Sequence, residues 1–140
     1  MKRFLSLLLF LSLVTFTSCE DILECVVFGR SPELPDTSFD VGLVNLYYYE
    51  EFDAEIKNEP RDNDYEYFFE IDGYLPDGLE MNVSHRTVSI EGSPQSPGSF
   101  TFSVFLYVDP PLSYDSETDE YDENMCSTST SKEYTIIINQ

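Results

Sequence analysis

Large apolar residues occupy every second position through the longest patterned stretch of the chain, residues 99–108 (SFTFSVFLYV). One face of this stretch carries Phe100, Phe102, Val104, Leu106 and Val108, and the other face carries Thr101, Ser103, Phe105 and Tyr107. A period of two residues is typical of a β-strand with one buried face. The pattern therefore predicts a long strand here.

Several other stretches repeat this pattern. Residues 65–71 (YEYFFEI) alternate in the same way, and the shorter runs 52–56, 88–90 and 134–138 place apolar residues at every second position. Pro, Gly, Asn and Asp separate the runs, and no segment carries an apolar stripe of helical period. Short strands that each bury one face pack as two antiparallel sheets. The sequence therefore predicts an all-β sandwich.

The segment 90–98 (IEGSPQSPG) interrupts the alternation between two predicted strands. Its two prolines cannot donate hydrogen bonds to a sheet, and Gly92 and Gly98 tolerate backbone angles that other residues avoid. We therefore expect the chain to leave one sheet before this segment and to enter the other sheet after it.

Three short motifs occur together within residues 73–108. They are Leu75-Pro76-Asp77-Gly78-Leu79, the run from Val88 to Pro94, and the run from Gly98 to Val104. Together with segments 66–73 and 132–139, they resemble a bacterial immunoglobulin-like repeat that is related to cadherins. The chain departs from that pattern at the turn predicted at residues 82–86, where the usual glycine is replaced around His85-Arg86, and in a long acidic loop at 109–131.

This resemblance covers most of residues 47–140. It implies an immunoglobulin-like antiparallel β-sandwich of about seven strands. The family builds surface and adhesive proteins and is generally non-catalytic, so the resemblance implies a binding, adhesive or structural role.

The first nineteen residues have the three parts of a lipoprotein signal. Lys2 and Arg3 precede an apolar run at 4–16 that is too short for a stable membrane span, and small residues then lead into Cys19. The segment resembles the bacterial lipobox, although Phe16 stands where leucine is usual. We expect residues 1–18 to be removed and Cys19 to be acylated. An ordinary cleaved signal is the alternative.

An acidic segment, Glu20-Asp21 and then Glu24, follows the predicted lipid anchor. It resembles the export tag of surface lipoproteins in some Gram-negative lineages, and the alternative is a solvated tether. We therefore expect residues 19–46 to be the anchor, tether and first strand, 47–140 to be the sandwich, and the protein to lie at the surface of the outer membrane.

Removal of residues 1–18 takes away two of the seven basic residues and none of the 27 acidic ones, so the mature net charge is −22. Such a chain repels nucleic acid and anionic headgroups, so no nucleic acid is expected as a partner. Acidity of this size is typical of disorder, but the 10 Tyr and 11 Phe of the chain, most of them in periodic positions, favour a folded domain.

The residues that carry catalysis are scarce. The chain has one histidine, His85, at a predicted exposed turn, whereas nucleophilic or acid–base catalysis needs a second group that converges on a base. No phosphate-binding glycine loop and no zinc-type Cys/His spacing occur. We expect a protein that is not an enzyme and needs no cofactor.

Calcium is the one metal that the composition suggests. Acidic clusters at 59–64 and 115–123 would supply oxygen ligands if both lie at one end of the sandwich, with Asp62, Asp64, Asp119 and Asp122 as the candidate ligands. The alternative is that both clusters are solvated loops, and their spacing matches no EF-hand.

Aromatic residues also occupy the outward positions of predicted strands. Phe68, Phe105 and Tyr107 fall on polar faces, and at least one ring of Tyr47-Tyr48-Tyr49 must point outward. Exposed rings stack on sugars or anchor protein partners, so an unknown protein or glycan partner is expected besides the membrane. The alternative function is therefore that of a carbohydrate-binding lipoprotein of a glycan-uptake system. In the other interpretation, the N-terminal segment or the long loop covers these rings.

Cys25 and Cys126 remain once Cys19 is acylated. Free thiols are uncommon in an oxidising compartment, and in an immunoglobulin-like sandwich the first strand can run parallel to the last. Cys25 opens the apolar run 25–28, and Cys126 lies shortly before the final strand. We therefore predict a disulfide between them. A buried Cys25 with an unpaired Cys126 is the alternative.

Overall fold

The computed structural model describes Cys25 and residues 29–111, 114–115, 120–121 and 125–140. A short 3-10 turn spans Asp62–Asp64. The strands of these residues are β1 (Ser31–Glu33), β2 (Gly42–Leu43), β3 (Tyr48–Asp53), β4 (Glu55–Lys57), β5 (Glu66–Gly73), β6 (Leu79–Ser84), β7 (Thr87–Gly92), β8 (Gly98–Asp109), β9 (Tyr114–Asp115), β10 (Glu120–Tyr121) and β11 (Ser129–Asn139).

Seven of these strands form two sheets. The four-stranded sheet has the order β2-β11-β8-β5, and the three-stranded sheet has the order β3-β7-β6. The β2–β11 pair is parallel, whereas the other neighbours in both sheets are antiparallel. The pairs β1–β4 and β9–β10 stand outside these two sheets. The predicted all-β, immunoglobulin-like sandwich of about seven strands is confirmed.

The core lies between the sheets, and alternate residues of each strand fill it. In β8, Phe102, Val104, Leu106 and Val108 are at most 2% exposed, as the period of two predicts. Each such apolar side chain contributes about 1.5–3 kcal/mol when it leaves water. The buried apolar residues are Leu34, Tyr48, Phe52, Ala54, Ile56, Tyr65, Tyr67, Leu79, Val88, Ile90, Phe102, Val104, Leu106, Val108, Tyr134, Ile136 and Ile138.

The segment between β7 and β8 carries the chain from the three-stranded sheet to the four-stranded sheet, so the predicted change of sheet is confirmed. Pro94 is buried there, and its carbonyl oxygen accepts from Asn45 N–H at 2.8 Å. Ser93 N–H donates to the Gly78 carbonyl at 3.0 Å, and Gln95 N–H donates to the Asp77 carbonyl at 2.9 Å. The Leu-Pro-Asp-Gly-Leu motif therefore packs directly against this corner.

Two local predictions need correction. The predicted strand 52–56 is divided at Ala54, whose N–H donates to the Arg86 carbonyl at 2.9 Å, so β3 pairs with β7 while β4 pairs with β1. Likewise β6 continues to Ser84, and the turn before β7 consists of His85 and Arg86 alone. His85 takes the left-handed conformation there, with φ 55°, which is the conformation that glycine provides more readily.

Candidate ligand-binding face

Phe68, Phe105 and Tyr107 lie together on the outer surface of the four-stranded sheet, which we call the aromatic face. Phe68 and Tyr107 are direct partners in the β5–β8 ladder, and Glu70 is the partner of Phe105. Tyr107 and Phe105 also lie opposite Ser129 and Ser131 of β11. Successive side chains of a strand point to opposite faces, so burial of Tyr67 in β5 and of Leu106 and Val108 in β8 holds the three rings outward.

The three rings form one open surface. Phe68 is 53% exposed, Phe105 is 44% exposed and Tyr107 is 49% exposed. The centroids of the Phe68 and Tyr107 rings are 6.1 Å apart, and their planes are inclined by 40°. A groove of about 610 Å³ runs along them, and Glu70, Ser129 and Ser131 also line it. The sequence alone left open whether other segments of the chain cover these rings. In the structure the three residues lie together, and each is about half exposed.

Acidic side chains surround this groove. The charged residues that the three long strands present on the outer face are all exposed carboxylates: Glu66, Glu70, Asp72, Asp109 and Glu133. The lysine of β11, Lys132, occupies an inward position of the alternation, where its Nζ donates to the Leu34 carbonyl at 2.8 Å. The outer face of this sheet therefore has a negative potential that attracts cations.

The single histidine of the chain, His85, makes contacts that hold the β6–β7 turn in place. His85 Nε2 lies 3.1 Å from the Tyr65 carbonyl oxygen and therefore donates a proton to it, and its ring packs edge-on against Tyr67 at 5.2 Å between centroids. This contact closes the β6–β7 turn against the start of β5. The histidine holds two elements together and lies on a different element from the aromatic face.

Two of the four predicted calcium ligands, Asp62 and Asp64, lie among the described residues. Asp62 forms an ion pair with Arg86, and no group of three or more metal-binding side chains is found among the described residues. Asp64 lies in the same 3-10 turn. Asp119 and Asp122 lie outside the described residues, so calcium binding stays a prediction.

A disulfide bond joins Cys25 and Cys126, with Cα atoms 5.6 Å apart, and this pairing is the one predicted from the sequence. The strand pairing beside the disulfide differs from the expected one, in which the first strand begins at Cys25 and runs parallel to the last strand. The parallel neighbour of the last strand is β2, and near the cysteines the parallel contact is an isolated bridge between Arg30 and Met125. Residues 26–28 of the predicted first strand lie outside the described residues.

Cys19, the predicted lipidation site, also lies outside the described residues, as does the signal at 1–18. Within the part of the chain that the structure describes, no helix is long and apolar enough to span a membrane. Lipid anchoring therefore stays a prediction from the sequence.

A second exposed apolar region was missed from the sequence. It consists of large apolar residues within nine consecutive positions: Val41, Leu43, Leu46, Tyr47 and Tyr49. Tyr47 donates its hydroxyl proton to Glu91, and this hydrogen bond is the main cause of the raised pKa of Tyr47. Only the tyrosine triplet signalled this region, because two-residue β2 is too short for alternation to show which side chains are buried.

Comparisons with known proteins give a likeness of fold alone. No family model matches the chain, and no curated protein matches it. Among solved structures, the chain is similar to an endo-fucoidan hydrolase from glycoside hydrolase family 107, with a TM-score of 0.54 and 13% identity over 80% of this chain and 14% of that chain. A candidate alpha-galactosidase from Bacteroides fragilis aligns over 79% of this chain and 18% of its own, with a TM-score of 0.44 and 16% identity. The chain therefore spans less than a fifth of the length of either protein.

Proposed function

We propose that this chain is a non-catalytic binding module of the cell surface, anchored in the outer membrane through acyl chains on Cys19, and that the aromatic face is its ligand-binding surface. The observation that carries the proposal is the cluster of Phe68, Phe105 and Tyr107, which are about half exposed on a face whose other large side chains are mostly acidic. Aromatic anchors with this degree of exposure are enriched at binding surfaces.

The remaining chemistry agrees with binding rather than catalysis. His85 is engaged between β5 and the β6–β7 turn, away from the aromatic face. The disulfide between Cys25 and Cys126 fits an oxidising compartment outside the cytoplasm, which supports export.

The test compares ligand capture by the full-length protein, purified in detergent, with capture by a Phe105→Ala variant on glycan and protein arrays. The matched control is Ile137→Ala, which truncates a side chain that is 45% exposed on the same sheet, opposite Ser99 at the other end of β8. We expect loss of the captured ligand for Phe105→Ala and retention for Ile137→Ala. Equal retention by both variants would refute the proposal.

A carbohydrate ligand is the second candidate. The groove places the Ser129 and Ser131 residues and the Glu70 carboxylate beside the rings, and these groups can hydrogen-bond sugar hydroxyls while a ring stacks on the sugar. The structural neighbour with the similar fold is a hydrolase of fucoidan, but at 13% identity the likeness extends to fold only. Binding of a neutral oligosaccharide that Phe105→Ala abolishes would favour this candidate.

A further inference from the structure

We infer that the occupant of the aromatic face is an extended, Lys- or Arg-bearing segment of a partner protein. This inference rests on the function proposed above, because it names the class of ligand for the same surface. Its basis is the combination of three adjacent rings with carboxylates on both flanking strands.

A single basic side chain can contact a ring and a carboxylate of this face together. Glu70 lies directly across the ladder from Phe105, so the two Cβ atoms are about 5 Å apart. An ammonium or guanidinium group that lies over the Phe105 ring, within about 6 Å of its centroid, therefore also lies within reach of the carboxylate. The face of the Phe105 ring and the Glu70 carboxylate both attract a positive charge, and one cation can interact with both groups at the same time.

The spacing of the acidic positions matches that of an extended peptide. Glu66, Glu70 and Asp72 alternate with inward residues along β5, and Phe68 occupies the remaining outward position. Alternate side chains on a strand are about 6.6–6.8 Å apart. An extended polypeptide with basic residues at every second position has the same period, so it would place successive positive charges beside successive carboxylates or rings.

The negative charge of the face disfavours other occupants. A second copy of the chain would bring the same carboxylates face to face, which is unfavourable. A neutral glycan can hydrogen-bond to Glu70, but it supplies no positive charge to offset the desolvation of the carboxylates around the rings. A free polyamine would satisfy the carboxylates but would leave much of a groove of about 610 Å³ unfilled.

The test uses a fluorescein-labelled heptapeptide of alternating lysine and serine as the probe, with the full-length protein in detergent and anisotropy as the readout. The first comparison is with a Phe105→Ala variant and with a Glu70→Gln/Glu133→Gln double variant. The matched charge control is Glu55→Gln/Glu80→Gln, which removes two exposed carboxylates elsewhere on the sandwich. All four proteins are first compared by thermal melting, so that only folded variants are scored.

We expect the peptide to bind, with affinity that falls steeply as salt is added. Phe105→Ala and Glu70→Gln/Glu133→Gln should each raise the Kd about fivefold or more, whereas the charge control should stay within about twofold. A serine–glutamate peptide should not bind.

Other results would overturn the inference in recognisable ways. An equal loss of affinity in both double variants would mean that the peptide responds only to overall charge. Spermine that binds as tightly as the peptide, or dimerisation that Phe105→Ala abolishes, would assign a different occupant. Maltohexaose binding that depends on Phe105 would overturn the cationic partner but keep the aromatic face as the ligand-binding surface. Absence of peptide binding at low salt would overturn the inference directly.

The proposed function is tested separately by the array experiment. It is refuted if Phe105→Ala and Ile137→Ala capture the same ligands equally well.

Discussion

At the residue scale, the aromatic face depends on three residues that are 44–53% exposed: Phe68, Phe105 and Tyr107. Buried neighbours in the same strands, such as Tyr67 and Leu106, hold the rings outward, because successive side chains of a strand point to opposite faces. The ladder register that makes Phe68 and Tyr107 neighbours was not predictable, because it is set by contacts between strands that are far apart in sequence.

Gly92 gives the sharpest prediction for a single residue. Its φ is 140°, and a Cβ there would overlap the carbonyl oxygen of Gly78, so both strain and a backbone clash oppose any side chain. We expect Gly92→Ala to lower the free energy of unfolding by about 3 kcal/mol or more. Urea denaturation measures this change.

Gly98 is the natural comparison for Gly92, since the sequence suggested that both glycines are needed at the corner. Its φ of 158° is also one that residues with a side chain rarely adopt, but the atoms nearest to a Cβ there belong to the Phe100 ring, at 3.2 Å, and not to the backbone. Gly98→Ala should therefore carry backbone strain without a backbone clash, and should lower the free energy of unfolding by less than Gly92→Ala does. Equal losses in the two variants would show that the close approach of Gly92 to Gly78 is not what requires glycine.

The partly buried hydroxyl of Tyr67 makes the stability of the fold depend on pH in the alkaline range. Burial is the main cause that raises its pKa from 10.0 to about 12, and its hydroxyl donates to the Asp62 carbonyl. In the unfolded chain this tyrosine ionises at lower pH than in the native state. The stabilisation is therefore complete below pH 10 and is lost as the pH rises towards 12.

We accordingly expect the unfolding free energy of the parent protein to fall more steeply between pH 10 and 12 than that of Tyr67→Phe, which lacks the titrating group. Tyr74→Phe, at a position that is 85% exposed, is the matched control and should follow the parent. Urea denaturation across this pH range measures the three slopes. Parallel curves for the parent and Tyr67→Phe would contradict the prediction.

At the scale of elements, strands with several alternating residues were predictable, and very short strands were not. β5, β8 and β11 have 8, 12 and 11 residues, which is enough for a period of two to be recognised. β1 and β2 have three and two residues, and their place is set by tertiary contacts, as in the parallel pairing of β2 with β11. The division of one predicted strand into β3 and β4 has the same origin, because the strand changes partner at Ala54.

The disulfide connects two segments that lie far apart in the sequence. It joins residues 101 positions apart, and Cys126 N–H donates to the Arg30 carbonyl at 2.9 Å beside it. A disulfide that closes a loop of about this length lowers the conformational entropy of the unfolded chain, which in the chain-entropy model stabilises the native state by about 4.7 kcal/mol. We expect Cys25→Ser/Cys126→Ser to lower the free energy of unfolding by about 2–5 kcal/mol, as measured by urea denaturation.

A thiol assay gives an independent check of the same bond. The mature protein, denatured without reductant, should show no reactive thiol if Cys19 is acylated and Cys25 is bonded to Cys126. After reduction it should show two. Two reactive thiols before reduction would rule out the disulfide in the isolated protein.

At the scale of the whole molecule, fold and function separate clearly. The sandwich follows from alternation, aromatic content and turn residues, all of which are local properties of the sequence. The ligand depends on a surface that several strands share, and the fucoidan hydrolase with a similar fold is only 13% identical to this chain. Function is therefore better argued from the aromatic face and from the predicted anchor than from similarity of fold.

The anchor at Cys19 is the prediction that concerns the molecule as a whole, because it decides on which membrane surface the aromatic face would be displayed. Each buried methylene of an acyl chain contributes about 0.8 kcal/mol to membrane association, whereas the mature chain, with a net charge of −22, is repelled by anionic headgroups. Membrane association should therefore depend on the acyl chains. In detergent phase separation of cells that express the protein, the parent should enter the detergent phase and Cys19→Ala should stay in the aqueous phase. Cys126→Ser is the matched control: it removes a cysteine and the disulfide but keeps the anchor, so it should partition like the parent. A Cys19→Ala protein that still enters the detergent phase would show that something other than acylation of this cysteine holds the protein at the membrane.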